Sequence, residues 1–173
     1  ILISIAEHHA NIVPWQMVAK KTGAVVRAFP VDEDGSFNVN AFTDMMSSRT
    51  RIVSVPHVSN VLGTVFPVAE IARITHDAKA LMVVDGCQGA IHMPVDVQAL
   101  DADFYVFSAH KLYGPNGVGI LWGKSDLLAE MPPFLGGGDM IDRVTVEKST
   151  YALPPHRFEA GTPAIAETVA LGA

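Results

Sequence analysis

Apolar residues along this chain are gathered into short runs that are separated by polar turns and amphipathic segments. Five runs have the length and the β-branched or aromatic content of strands: 1–5, 24–29, 51–55, 81–84 and 104–107. Strands that are apolar throughout are typical of parallel sheets covered on both faces. A sixth run, 117–122, begins at the end of a Tyr-Gly-Pro-Asn-Gly turn and is predicted to pair antiparallel with the strand before it.

Amphipathic or capped segments lie between these runs and are predicted to be helices. Asn11 is predicted to cap a helix over 11–21 that stops at Gly23, and Asn40 to cap a short helix over 40–48. Pro14 is tolerated in the first turn of the earlier helix. The first half of the chain therefore alternates strand, helix and strand.

The second half continues this alternation and then loses it. Residues 68–78 carry apolar side chains at helical spacing, and a helical pattern returns at 163–171. Between them, 131–156 is rich in proline and glycine and is predicted to be irregular, as segments that serve a site or an interface often are. The whole pattern predicts one α/β domain over 1–173, with a mainly parallel sheet and helices on both faces.

Composition narrows the classes of protein. The chain has 173 residues, of which 49% are hydrophobic and 17% charged, so it can bury a core as one domain. A net charge of −6 argues against a nucleic-acid surface, and no apolar run approaches membrane-spanning length. The single cysteine, Cys87, excludes an internal disulfide and fits the reducing cytoplasm. Both ends interrupt a pattern, so we expect a fragment of a longer protein.

Polar residues follow four of the predicted strands directly. They are Glu7-His8-His9, His57-Val58-Ser59-Asn60, Asp85-Gly86-Cys87-Gln88 and Ser108-Ala109-His110-Lys111. Each group taken singly also fits an ordinary turn or helix cap. Ligands of open α/β sheets lie outside the carboxyl ends of the strands, so the four groups together predict a cofactor site at one rim.

Lys111 indicates which cofactor this would be, although a solvated turn is the ordinary place for a lysine. At the mouth of a buried strand a desolvated lysine supplies the neutral amine that condenses with an aldehyde. Pyridoxal phosphate needs such a lysine, a carboxylate on its pyridine nitrogen, donors for its phosphate and a flat group over its ring. The candidates for these needs are Lys111, Asp85, Ser108 with His110, and His8, with Gln88 for the phenolic oxygen.

Five motifs in order also resemble one family. They are EHHANIVPW at 7–15, HVSNVLGT at 57–64, VDGCQ at 84–88, SAHKLYGPNGVGIL at 108–121 and RFEAGTP at 157–163. They are similar to the SUF-type, or group II, cysteine desulfurases among the class V aminotransferase-like enzymes, and the resemblance covers nearly the whole chain. Selenocysteine lyases are close relatives and remain an alternative. The resemblance implies the large domain of a fold-type I enzyme that depends on pyridoxal phosphate.

The resemblance implies a role for each candidate residue. Lys111 matches the Schiff-base lysine, and His8 the histidine that stacks on the cofactor ring; both are counted as catalytic. The other matches are Asp85 on the pyridine nitrogen, Gln88 on the phenolic oxygen, Ser108 and His110 on the phosphate, Asn60 beside cofactor and substrate carboxylate, and Thr162 on the phosphate of a neighbouring subunit. The last match implies a homodimer.

The implied reaction converts L-cysteine, or L-selenocysteine in the lyases, to alanine. The freed lysine removes the α-proton, and a cysteine thiolate of the enzyme takes the sulfur as a persulfide for an acceptor protein in iron–sulfur cluster assembly. In the family this cysteine and a substrate-binding arginine lie in a small C-terminal domain that these residues do not include. Cys87 stands at a variable position and is interpreted as a small core residue. The fragment alone is therefore expected to lack turnover.

Three alternatives belong to other classes. A metal site could be formed by His8, His9, His57, His110 and Asp85, but no tight ligand spacing supports it and it leaves Lys111 without a role. The second is a remnant that keeps the fold, with or without the cofactor, and has no catalytic activity. A Ser-His-Asp hydrolase is the third, and it fails because no G-x-S-x-G elbow precedes a helix.

Overall fold

The computed structural model describes all 173 residues and contains eight strands and six helices. The strands are β1 (Leu2–Ser4), β2 (Arg27–Phe29), β3 (Ile52–Pro56), β4 (Leu81–Asp85), β5 (Phe104–Ser108), β6 (Gly119–Gly123), β7 (Ile141–Val144) and β8 (Ser149–Tyr151). The helices are α1 (Val13–Thr22), α2 (Val39–Met45), α3 (Val68–Asp77), α4 (Gly89–His92), α5 (Ser125–Glu130) and α6 (Ile165–Gly172). Short 3₁₀ turns lie at His9–Asn11, Ala109–Lys111 and His156–Phe158.

Six strands form one sheet in the order β2-β1-β3-β4-β5-β6. The first five are parallel, and β6 runs antiparallel to β5 with Ser108 opposite Gly119. Each parallel step needs a crossover, which the helical segments supply. The predicted α/β class and the antiparallel sixth strand are confirmed. Because β1, β3, β4 and β5 are parallel neighbours, their carboxyl ends meet at one rim.

One face of the sheet carries the hydrophobic core. Alternate residues of the strands point into it, and α3 closes it with Val68 and Ile71. Phe29, Phe42 and neighbouring phenylalanines stack edge to face beneath α2. The core therefore depends on the β1–β5 strands and the two helices that cross between them.

The opposite face is covered unevenly. Ile3 and Ser54 near the middle of the sheet are buried, whereas Val106 on β5 and Leu121 on β6 are 36% and 55% exposed. Side chains of a strand alternate between the two faces, so these exposed residues mark the back of the β5–β6 pair. The coverage of the two faces is therefore asymmetric.

Two predicted helix caps are wrong. Asn11 lies in a 3₁₀ turn instead of at the start of α1, where Ile12 precedes the helix without a side-chain cap. The side chain of Asn11 is used in buried hydrogen bonds, and this tertiary role overrides its capping propensity. The cap of α2 is Asn38, which accepts from the N–H of Ala41 at 2.7 Å, and not Asn40.

The predicted end of α1 is confirmed, whereas the segment predicted to be irregular contains an unpredicted hairpin. Gly23 terminates α1 as predicted and adopts the left-handed conformation, with φ of 75°. Residues 131–156 are largely irregular, but β7 and β8 pair there as a separate antiparallel hairpin that the sequence pattern did not predict.

In the whole structure, no helix combines the length and apolar character that crossing a bilayer requires.

Candidate active site

One small pocket lies at the rim where the four parallel strands end. Its lining consists of eight residues: His8, Pro56, Val58, Asn60, Asp85, Cys87, Gln88 and Lys111. Each of the strands β1, β3, β4 and β5 contributes a residue at its carboxyl end or in the turn after it. Five residues that were singled out in the sequence therefore share one pocket, although they are up to 103 positions apart in sequence (111 − 8).

Lys111 reaches the pocket from the 3₁₀ turn that follows β5. Two hydrogen bonds to one carbonyl close this turn. The N–H groups of Leu112 and Gly114 both donate to the carbonyl of Ala109, at 2.8 and 3.0 Å. Lys111 is half-buried, and its charge acts on the Cys87 thiol from across the pocket. The strand end thus holds an amine at the pocket wall, short of full burial.

Asp85 is the only acidic residue in the pocket lining and is the last residue of β4. Its Oδ1 accepts the N–H of Cys87 at 3.0 Å, which fixes the carboxylate across the turn. On the other side, the carbonyl of Asp85 accepts the N–H of His57 at 2.8 Å. The carboxylate is therefore oriented by one backbone N–H of its own turn, and the main chain of Asp85 is tied to the neighbouring strand β3.

The turn that carries Asp85 and Gln88 packs on a buried histidine–tyrosine pair. His57 Nδ1 lies 2.9 Å from the Tyr105 hydroxyl, and the two residues are 5% and 1% exposed. A Cβ at Gly86 would overlap the Tyr105 ring, and one at Gly89 would meet the His57 ring. Burial lowers the pKa of His57 and raises the pKa of Tyr105, so both are neutral at physiological pH.

His8 and Asn60 form the open side of the pocket, and both are exposed. His8 Nδ1 accepts the N–H of Ala10 at 3.1 Å and so caps the 3₁₀ turn at His9–Asn11. This bond fixes Nδ1 as an acceptor, which leaves the Nε2 edge to face solvent or a ligand. The imidazole ring is therefore held in place at the pocket mouth while its face stays accessible.

Cys87 lines the pocket, so its interpretation as a core residue is wrong. It is half-buried, and its Sγ lies 3.9 Å from the hydroxyl of Ser108 at the end of β5. Burial, and then the neighbouring Asp85 charge, raises the pKa of the thiol, although Lys111 opposes this. A thiol in this state is a poor nucleophile at neutral pH.

Three predicted site residues, His110, Thr162 and Ser108, lie outside the pocket lining. His110 is exposed on the 3₁₀ turn beside Lys111, and Thr162 is exposed between the 3₁₀ turn at 156–158 and α6. Ser108 is adjacent to the pocket through Cys87 without lining it. The structure also does not gather the residues of the metal alternative, since His57 is buried against Tyr105 and no group of three ligating side chains is present.

The sequence placed Glu7 in the polar group after the first strand but gave it no role, and the structure buries it to 8% exposure. Its Oε2 accepts from Asn11 Nδ2 at 2.8 Å, and its Oε1 is buried with no partner. Burial, together with the nearby Asp85, raises the pKa of this carboxyl to about 8, although the Asn11 bond opposes the shift. A glutamate two residues after the first predicted strand and directly before a candidate site histidine was the available signal.

Comparison with known proteins agrees with this geometry. A cysteine desulfurase of Dickeya dadantii is 54% identical over 174 residues, and the chain spans 42% of its length. The structure superposes on the Escherichia coli cysteine desulfurase CsdA, in its S-sulfonic acid form, with a TM-score of 0.96 and 46% identity, covering 98% of this chain and 43% of that one.

A further solved structure is a mutant of C-DES with glycine covalently linked to its PLP cofactor. It gives a TM-score of 0.88 at 30% identity and covers 98% of this chain and 46% of that one. The aminotransferase class-V family model matches residues 1–173, the full extent of the sequence. The match of that model over every residue, with relatives above 50% identity across the same span, places this chain in the aminotransferase class-V family.

Proposed function

We propose that this chain forms the cofactor-binding part of a cysteine desulfurase that depends on pyridoxal phosphate. The observation that carries the proposal is the single pocket that joins Lys111, Asp85, Gln88 and His8 at the carboxyl ends of neighbouring strands. The similarity to cysteine desulfurases over the whole chain supports it. Because the chain spans 42% of the Dickeya relative, turnover is proposed for the whole protein and not for these residues alone.

The donor set of the pocket fits pyridoxal phosphate. That cofactor, when bound, supplies an aldehyde for amines and an electron-withdrawing ring that stabilises a carbanion. Lys111 would hold the aldehyde, Asp85 the pyridine nitrogen and Gln88 the phenolic oxygen. A carboxylate fixed by a backbone N–H suits the nitrogen, since it stays in place as a charged hydrogen-bond acceptor.

The open side of the pocket would serve the ring and the substrate. The accessible imidazole of His8 would stack on the cofactor, and Asn60, also exposed, would bind the substrate carboxylate. Once free, the Nζ of Lys111 would take the α-proton of L-cysteine, as a base held close to the reacting carbon. Ser108 and His110, at the end of β5, would donate to the phosphate.

The partner proposals extend to the whole protein. Thr162, exposed near the irregular 131–156 segment, would reach the phosphate of a second copy of the chain in a homodimer. Exposed apolar side chains nearby, among them Phe134, Val146 and Leu153, support an interface in this region. The sulfur would pass to an acceptor protein for iron–sulfur cluster assembly in the cytoplasm. Light scattering of the full-length protein at twice the monomer mass would agree with the dimer, and monomer mass would exclude it.

Covalent labelling tests the proposed cofactor site directly. The chain is incubated with pyridoxal phosphate, reduced with borohydride and mapped by peptide mass spectrometry. We expect the label on Lys111, with loss of the label in K111A and no loss in K148A, which removes an exposed lysine on the β7–β8 side. Label spread over surface lysines, or label that survives K111A, would refute the assignment.

A further inference from the structure

Glu7 is the buried titratable residue to which the proposed chemistry gives no role. It follows β1 and directly precedes His8 at the pocket mouth. The carboxyl is 8% exposed, with one oxygen bonded to Asn11 and the other, Oε1, buried without a partner. An ionised carboxylate that is buried with one neutral side-chain donor costs folding free energy. A carboxyl in this position therefore tends to be neutralised by a proton.

The hydrogen bonds of Asn11 determine where a proton on Glu7 can lie. Asn11 Oδ1 accepts from Trp15 Nε1 at 2.9 Å and from Ser54 Oγ at 2.8 Å. Both bonds orient the amide so that its NH₂ group faces Glu7 and donates to Oε2. The NH₂ group of Asn11 therefore cannot accept a hydrogen bond from Glu7. When Glu7 is protonated, its O–H lies on Oε1, away from Asn11.

Few groups act on Glu7. The side chain of Asn11 donates from the 3₁₀ turn, the backbone of Ser4 acts from β1, and the charge of Asp85 acts from β4. Asp85 is the only charged group among them, and its negative sign opposes ionisation of Glu7. Burial acts in the same direction and is the larger cause.

Asp85 is better equipped than Glu7 to carry the negative charge. Its carboxylate accepts a backbone N–H and lies half-buried in a pocket that also contains the Lys111 amine. Glu7 is more deeply buried and has a neutral amide as its donor. Deep burial with few hydrogen-bond donors favours the protonated form of Glu7, and the negative charge of Asp85 adds to that preference.

We propose that Glu7 is a positioning residue that acts through Asp85: it holds a proton beside the pocket, so that Asp85 remains the single anion at the cofactor floor. The proposal deepens the proposed function and rests on it for the meaning of that anion, which is to face the pyridine nitrogen. Above the pH at which Glu7 loses its proton, the site carries a second negative charge, and Asp85 is no longer its single anion.

The allocation of the proton is tested on the chain without cofactor. Glutamate labelled with ¹³C at the side-chain carboxyl is titrated by NMR, with E7Q to assign the Glu7 signal and E70Q, at an exposed helix position, as matched control. We expect Glu7 to titrate at about pH 8 and its midpoint to fall in D85N. A midpoint near the ordinary 4.5, or one that D85N leaves unchanged, would overturn the proposal.

A second readout uses the bound cofactor. The absorbance of the chain with pyridoxal phosphate is recorded across neutral and alkaline pH in wild type, E7Q and E70Q. We expect a spectral step near the Glu7 midpoint in wild type and E70Q that is lost in E7Q, which carries a permanently neutral isostere. A profile that E7Q does not change would refute the action through Asp85. Failure to bind the cofactor would refute the proposed function instead, and the NMR titration would still decide the proton.

Discussion

Glu7 and Asp103 are both buried carboxyls, 8% and 3% exposed, yet they differ in almost every other respect. Asp103 lies at the amino end of β5, where its Oδ2 accepts from the N–H of Met82 at 2.7 Å and from His76 Nε2 at 2.9 Å, and its Oδ1 faces Lys124 Nζ at 2.8 Å. Glu7 lies at the opposite rim of the sheet, where Asn11 is its only side-chain donor.

The difference in partners reverses the sign of the pKa shift. Burial alone would raise the pKa of Asp103, but hydrogen bonds from Lys124, Met82 and His76 hold it below its ordinary value. At Glu7 burial dominates, and the pKa rises to about 8. A buried acid with its full set of donors serves the fold, whereas one that lacks them is typical of a functional site. The two rims of this sheet therefore separate stability from chemistry.

The largest expected effect comes from breaking the compensated site. D103A removes the acceptor of the buried Met82 N–H and the carboxylate that pairs with the partly exposed Lys124 and His76. We expect the free energy of unfolding to fall by about 2–3 kcal/mol, because a buried donor is left unsatisfied and charge-assisted hydrogen bonds are lost. Urea denaturation followed by circular dichroism measures it. D101N, which alters the half-exposed partner of the same lysine, should cost less than about 1 kcal/mol; equal losses in the two variants would mean that burial does not decide.

A smaller effect, and one that depends on pH, is expected from E7Q. The pKa of Glu7 is about 8 in the folded chain against an ordinary 4.5, so the unfolded state releases its proton first. Stability from this residue is present below pH 4.5 and is lost as pH rises through about 8. Relative to wild type, E7Q should gain stability across that window, with a slope of at most about 1.4 kcal/mol per pH unit. Urea denaturation at a series of pH values measures the slope, and parallel curves for the two proteins would contradict the expectation.

The smallest effect is expected where the carboxylate is exposed. Arg73 and Asp77 form an (i, i+4) pair on α3 at 3.1 Å, with side chains 67% and 70% exposed. R73A should cost about 0.3–0.5 kcal/mol, and the loss should vanish in high salt. Thermal unfolding at low and high ionic strength checks both points. A loss as large as that of D103A would remove the distinction between buried and exposed acids on which the comparison rests.

Much of the fold could be predicted because its strands are local patterns. The runs at 81–84 and 104–107 correspond to β4 and β5. Asp85, Gln88 and Lys111 after them line the pocket, since parallel neighbours place their ends together. Asn11 shows where such reasoning fails. Its capping propensity is a local property, but its partners Ser54 and Trp15 are set by the folded chain.

The site was predictable in part for the same reason. Lys111 and Asp85 can be recognised from their residue type and their place after a predicted strand. The exposure of His110, in contrast, depends on how the 3₁₀ turn rotates after β5. Glu7 was given no role, because its character follows from a buried carboxyl oxygen without a partner, and no sequence pattern records a missing contact. The β7–β8 hairpin was missed because its exposed strands have no apolar run.

The close packing of Gly86 on the Tyr105 ring has an evolutionary consequence. Any side chain at position 86 would need a smaller residue at 105, and that change would remove the hydroxyl that His57 contacts. Positions 57, 86 and 105 on separate strands and turns are therefore coupled. Homologues of this chain should keep the histidine, the glycine and the tyrosine together or replace all three, and substitution of only one of them should be rare.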